Sequence, residues 1–402
     1  MPSIDAAKIR KILDSRGDPT VEVEIHAGGV AGRASAPSGA STGTHEAVAF
    51  PGGDVAAAIA RFQAEVRPRL LGVDVTGQLT VDRLLHEVDG TATFARIGGN
   101  VAVATSLAAA KAAANVLGLP LYEYLGGEQA RRMPYPMGNI IGGGRHAIGG
   151  TTIQEFLSVA RGPTAAASVF ANARVHRVAR DLLRGRIASG PLGRGDEGAW
   201  IAPLEDEAVL VLLADACRAV SAEVGFEVRP ALDLAASEFY HDGMYHYRSR
   251  SLSPKDQIEF VAGLVERHGL FSVEDPLHED DFPGYARLTS LVGEECLVIG
   301  DDLFATNVSR LRMGIEVHAA NGILIKPNQI GTVSDAKAAV DLAHRNGYAT
   351  VVSHRSGETT DEAIAHLAVA FGSLAIKTGA VGGERTAKLN ELIRIEEGLA
   401  GE

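Results

Sequence analysis

The chain has 402 residues, 46% hydrophobic and 22% charged, a globular composition with length enough for two or three domains and sizeable cores. Its formal net charge of −12, with no long basic stripe, argues against a nucleic-acid or anionic-membrane surface, and leaves a small anionic substrate only where metal ions or clustered lysines make a local positive pocket. Cys217 and Cys296 form no spaced framework, which suits a reducing cytoplasm; residues 1–10 carry no apolar signal core, and no uninterrupted apolar run reaches membrane-spanning length.

Residues 1 to about 48 read as β structure. Val21, Val23 and Ile25 alternate with Glu22 and Glu24, residues 26–29 make a turn, and a return strand starts at Val30. It runs into a stretch of small residues, 36–44, that reads either as a surface loop or as a mobile lid over a ligand. Helical spacing follows at residues 55–66, 82–89 and 100–117. Residues 125–133 and the Pro-Tyr-Pro at 134–136 place a domain boundary between 133 and 134, giving an N-terminal domain 1–133 and a second domain 134–402. Residues 137–141 read as a strand, followed by glycines 142–144 and His146, and a second strand starts near Gln154 and Glu155. A helix is expected over 165–188, then a glycine-rich segment whose Asp196 and Glu197 read, by themselves, as a solvated pair.

The second half repeats one pattern. Short apolar runs end in Asp233, in Glu274, in Asp301, in Lys326, in His354 with Arg355, and in Lys377, separated mostly by one strand plus one helix, with Val333–Arg345 as a clear amphipathic segment. The interval from Asp233 to Glu274 is the longest. In a β/α barrel all C-terminal strand ends open on one face, so these groups are predicted to meet in one mouth. A lone lysine at a strand end reads as a snorkelling ammonium; the recurrence makes a site the better reading. Asp233, Glu274 and Asp301 are hard oxygen donors suited to Mg²⁺. A cation beside Lys326 and Lys377 is expected to depress a lysine and make it a base toward a carbon acid.

The motifs carry a resemblance over nearly the whole length. KILDSRGDPTVEVE (11–24), PSGASTGTHEA (37–47), GDEG (195–198), LDLAASEF (232–239), VEDPLHEDD (273–281), GDDLFATN (300–307), ILIKPNQIGT (323–332), SHRSGET (353–359), IKTG (376–379) and LNELIRIEE (389–397) are collinear, and the chain resembles the enolase family. The resemblance implies an N-terminal α+β capping domain with a lid at 36–44, a C-terminal β/α (TIM-like) barrel, and Mg²⁺-dependent dehydration of 2-phosphoglycerate in glycolysis, in the cytoplasm. It implies two Mg²⁺ ions per site. Asp233, Glu274 and Asp301 would hold the first, and Ser41 of the lid, beside Gly39 and Ala40, would help hold the second. Lys326 would remove the C2 proton and Glu197 would assist loss of the C3 hydroxyl, with Glu155 and His146 near that acid. Gln154 would meet the substrate carboxylate, Arg355 and Ser356 the phosphate, and Lys377 and His354 the carboxylate and hydroxyl. A homodimer in which Glu22 and Arg394 pair across the interface is implied as well.

Five places depart from the family pattern: the short segment 50–54 with no arginine, Gly142 in place of an asparagine, Ala199-Trp200 after GDEG, Pro327 after the lysine, and the shortened Gly382–Arg385 stretch. They leave open a paralogue that dehydrates a phosphonate or carboxyphosphonate analogue, or an enolase-like binding protein that has lost catalysis.

Overall fold

The computed structural model describes residues 2–39, 43–187 and 191–401. Three antiparallel strands open the chain, β1 (Ile4–Leu13), β2 (Pro19–Ala27) and β3 (Val30–Ser35), in that order across the sheet. Val21, Val23 and Ile25 are fully buried and the glutamates between them face outward, as alternation predicts. Strand β1 carries no such clean alternation and is legible only as part of a β region. The helix α1 (Val55–Arg61) starts where the Asp54 carboxylate accepts from Ala56 N and Ala57 N at 2.8 and 3.0 Å. That cap lets the shortened 50–54 segment enter the helix directly. The expected helix does run to Val66, but through a widened π turn over Phe62–Val66 just before Pro68, which has no N–H to donate.

Helix α2 (Gln78–Asp89) leads to α3 (Gly99–Leu117), the alanine-rich segment. This helix is long and apolar enough to cross a membrane, yet 78% of the stretch is buried inside the protein. Its small side chains let it lie directly on the sheet: a Cβ added at Gly32 of β3 would sit 2.1 Å from Ala112 N.

Eight strands then close a barrel: β4 (Tyr135–Gly142), β5 (Glu155–Ala160), β6 (Val228–Asp233), β7 (Ser272–Glu274), β8 (Leu297–Gly300), β9 (Gly322–Ile325), β10 (Ala349–Ser353) and β11 (Ala375–Lys377). They pair in sequence order and β11 pairs back with β4, so the barrel closes, while a short ninth strand, Trp200–Ile201, pairs with β4 outside the circuit. Seven strands run parallel; β5 alone is antiparallel to both neighbours, β4 and β6. Its N-terminal end therefore joins the C-terminal ends of the others, with Glu155 in register with Asp233 and Gly142. The barrel interior is filled by Met137, Leu157, Val159, Ala231, Phe271, Ile299, Leu324, Val351 and Ala375.

Outer helices return the chain between strands: α4 (Ala165–Arg186), α5 (Asp206–Val224), α6 (Pro254–His268), α7 (Phe282–Val292), α8 (Val308–Glu316), α9 (Val333–Arg345), α10 (Ala363–Ala370) and α11 (Gly383–Gly401). Hydroxyl caps set several starts; Thr164 Oγ1 accepts from Ala167 N and Thr332 Oγ1 from Asp335 N. Helix α4 ends at Arg186, where Ile187 turns extended; residue 188 of the expected helix lies outside the described residues. The long interval between Asp233 and Glu274 holds a small antiparallel flap, Tyr240–His241, Met244–His246 and Ser251–Leu252, ahead of α6.

Candidate active site

One cavity at the strand-end face is lined by Gly39, His146, Gln154, Glu155, Glu197, Asp233, Asp301, Lys326, His354, Arg355, Ser356 and Lys377. Glu274 lies beneath it, bonded to Lys377. Ala40 and Ser41, expected at the lid and the second metal, lie outside the described residues.

The three expected metal ligands are drawn to two lysines. Lys377 Nζ donates to Asp233 Oδ2 at 2.8 Å and to both Glu274 oxygens at 2.9 Å, and is 3.2 Å from Glu155 Oε1. Lys326 Nζ donates to Asp301 Oδ2, whose other oxygen accepts from Gln329 Nε2 at 2.8 Å. These side chains are almost wholly enclosed, so each charge depends on its partner. Burial together with the neighbouring Asp233 pushes Glu274 up to about 8. Burial alone would lower the ammonium of Lys377, but Asp233, Glu155 and Glu274 hold it well above the usual range. Lys326 is likewise raised: burial opposes its charge and Asp301 more than restores it. The sequence expectation of a depressed lysine concerns a lysine beside a bound cation; here the nearest charge to Lys326 is the Asp301 carboxylate, which raises it. Carboxylates crowded this closely, of hard-oxygen type, fit a divalent cation.

Asp275, unremarked in the sequence, supports this acidic wall. It adopts a left-handed backbone, φ +40°, and its carboxylate accepts from Asp301 N at 2.9 Å, Asp302 N at 2.8 Å and Tyr285 OH at 2.9 Å. A strained backbone held by three donors fixes the turn that presents Asp301. The carboxylates of Asp275, Asp301 and Asp302 come within 4.8 Å of one another.

On the other side, His146, Glu155 and Glu197 form a second group whose ligand atoms lie within 4.8 Å of one another. Gly195 allows this: a Cβ there would sit 2.5 Å from His146 O. Asn139 Nδ2, on β4, donates to Glu197 Oε2 at 3.0 Å. The two acids of the glycine-rich segment part company. Asp196 stays half-exposed, 3.4 Å from Arg16 Nε, and bears out the solvated reading; Glu197 is 2% exposed and does not. Burial raises both carboxyls of the Glu155–Glu197 pair. The side chains of His354 and His146, with Arg385 and Lys377 beyond them, bring Glu197 below the ordinary range. Glu155 is held well above it, first by burial and then by the facing charge of Glu197. Burial lowers both His146 and His354, while the Glu197 carboxylate works the other way on each.

The loop after β10 carries Arg355 and Ser356, both nearly buried. Arg355 is gripped by Glu46, Nη1 to Oε2 at 2.9 Å and Nη2 to Oε1 at 3.1 Å, a fork that burial makes strong. Glu46 lies within the motif at 37–47 but at no strand end, and the sequence reading gives it no role there. The first part of the loop at 36–44 docks here too, through paired backbone bonds between Ser38 and Gly357 at 2.7 and 2.8 Å. Gln154 Nε2 reaches Asp233 Oδ2 at 3.5 Å, and its Oε1 is a buried acceptor with no partner among the described residues. The arrangement thus pairs an ammonium and two facing carboxyls with an acidic cradle and a buried guanidinium. It can move protons on a carbon acid and hold a phosphorylated anion.

Comparison with known proteins agrees with that chemistry. The family described as "Enolase, N-terminal domain" matches residues 4–125, and "Enolase, C-terminal TIM barrel domain" matches residues 130–402. The chain is 55% identical to an enolase of Natronomonas pharaonis, over 98% of this chain and 99% of that protein. It is 52% identical to an enolase of Methanothermobacter thermautotrophicus, over 98% and 96% of the two chains, and 50% identical to one of Archaeoglobus fulgidus, over 98% and 97%. With both domains matched and relatives aligned end to end, the chain belongs to the enolase family.

Proposed function

We propose that the chain interconverts 2-phosphoglycerate and phosphoenolpyruvate, with residues 1–133 capping a catalytic barrel of residues 134–402. The observation that carries this reading is the meeting of Lys326, the Glu155–Glu197 pair and the carboxylate cradle around one cavity. Lys326 is the base for the C2 proton. Glu197 assists departure of the C3 hydroxyl as water, with the carboxyl of Glu155 beside it. His146 lies beside both carboxyls, its Nδ1 3.6 Å from Glu155 and 3.8 Å from Glu197. Arg355 and Ser356 take the phosphate, and Gln154, Lys377 and His354 the carboxylate and hydroxyl ends.

Asp233, Glu274 and Asp301 would hold a first Mg²⁺, and Ser41 would help hold a second. Bound there, the ions would neutralise the extra negative charge that builds on the substrate carboxylate as C2 loses its proton. Lys326 and Lys377 are the counter-ions of the same carboxylates and offset the charge of this acidic wall.

The test is the absorbance change of the enol product on mixing protein, Mg²⁺ and 2-phosphoglycerate, with and without EDTA. EDTA-sensitive turnover is expected. Absence of turnover with Mg²⁺ saturating would overturn the assignment and move attention to phosphonate analogues.

A further inference from the structure

The last helix sends one side chain into the site that no step above uses. Arg385 stands in the first turn of α11 and is 0% exposed. Its guanidinium donates to His354 Nδ1 at 2.8 Å, to Arg355 O and Ser356 O at 2.6 Å each, and to Asp196 O at 3.4 Å. One turn on, Lys388 donates to Thr359 O at 2.6 Å and pairs with Glu358 at 2.9 Å. Helix α11 thus clamps both halves of the loop that carries His354, Arg355 and Ser356.

The imidazole contact says more than the carbonyl contacts do. A guanidinium has only N–H donors and does not release its proton, so His354 Nδ1 must be the acceptor. An imidazole that is buried, with a cation on one nitrogen, stays neutral, and its single proton is then on Nε2. That atom is 3.5 Å from Glu197 Oε1, is buried, and has no hydrogen-bond partner among the described residues. His354 lines the cavity. We infer that Arg385 is a positioning residue that locks His354 in the Nε2–H tautomer, so that His354 serves the Glu197 side of the cavity as a hydrogen-bond donor and never as a base.

The inference rests on the proposed dehydration only for its kinetic consequence; the tautomer stands on geometry alone. The first measurement is the ¹⁵N spectrum of full-length protein labelled at histidine, with the His354 signals assigned by their loss in His354→Gln. A pyridine-like Nδ1 and a pyrrole-like Nε2 are expected. An Nδ1–H tautomer or a doubly protonated ring in the unmodified protein overturns the inference.

The second measurement uses Arg385→Gln, whose amide can accept as well as donate, and Arg385→Lys, which can only donate. In the glutamine variant the Nδ1–H form appears, and dehydration falls about 10- to 100-fold while exchange of the C2 proton persists. The lysine variant restores the Nε2–H signature and part of the rate. Equal loss of exchange and dehydration in Arg385→Gln would reduce Arg385 to a loop clamp and sink the proposal. Should the unmodified protein show no turnover at all, the function proposed above fails, and the tautomer measurement still decides this inference by itself.

Discussion

A buried ammonium acts as a base only after something displaces the carboxylate that holds it. Lys326 is tied to Asp301, which is itself an expected cation ligand, so cation binding and release of the lysine compete for one carboxylate. Two substitutions separate the proton steps. Lys326→Ala should abolish deuterium exchange at C2 of 2-phosphoglycerate, measured by NMR. Glu197→Gln should leave much of that exchange in place but lower dehydration about 10²- to 10⁴-fold, the usual contribution of a positioned acid. Parallel loss of both steps in both variants would refute this division of labour. The residues that could be read from sequence were those whose chemistry is anomalous for their place, such as a charge at the end of an apolar strand. Asp233, Glu274, Asp301, Lys326 and Lys377 are of that kind. Asn139, Asp275, Glu46 and Arg385 are not, because each acts by reaching a group distant in sequence; even where a motif or departure includes the residue, as for Glu46, Asp275 and Arg385, no local anomaly gives it a role.

At the scale of elements, period and punctuation located most strands and helices, since each apolar run in the second half is a parallel strand buried on both faces. The sense of β5 was not legible: a six-residue run reads the same in either direction, and only its pairing with β4 and β6 shows that Glu155 belongs to the strand-end face. The departures from the family pattern also acquire reasons at this scale. Pro327 occupies the first position of a one-turn helix, Pro327–Ile330, where its missing N–H costs nothing and its fixed φ steadies Lys326. Trp200 turns away from the cavity and stacks on His176 of α4, ring centroids 4.8 Å apart, donating Nε1–H to His176 O at 2.9 Å. His176 Nε2 in turn bonds Gly198 O at 3.0 Å, next to Glu197. Burial lowers His176 to about 4, so it is neutral in the folded protein. Below its unfolded pKa near 6.5 the unfolded chain binds the extra proton first, so this stabilisation is complete above about 6.5 and is lost as pH falls toward 4. Denaturant midpoints should therefore drop between those pH values by the equivalent of roughly 2–3 kcal/mol, and His176→Gln should flatten that slope. An unchanged slope in the variant would show that another group governs it.

For the whole molecule, two couplings follow from how the halves are joined. The first is association. Glu22 of β2 lies within reach of Arg10 and Arg33, and Arg394 of α11 pairs with Glu391, both at the surface. Such exposed pairs hold little energy of their own and can be exchanged for partners on a second copy. A homodimer of about twice the 42.1 kDa chain is expected by light scattering at micromolar concentration, with Arg394→Glu shifting it toward monomer; a monomer for the unmodified chain would end that reading.

The second coupling is between cation binding and global stability. The acidic wall draws on β6, β7 and β8, and its counter-ions on β9 and β11, so the site spans five of the eight barrel strands. An ion that binds these carboxylates when folded, and finds no such cluster in the unfolded chain, must stabilise the whole barrel. At a hundredfold excess over its dissociation constant, linkage gives about 2.7 kcal/mol per site. Mg²⁺ should raise the melting temperature, EDTA should reverse it, and Asp301→Asn should weaken the response while leaving the barrel folded. The same ion must take Asp301 from Lys326, so the concentration that half-saturates the thermal shift should also half-saturate C2 exchange. If the two midpoints differ widely, the stabilising ion is not the one that frees the base.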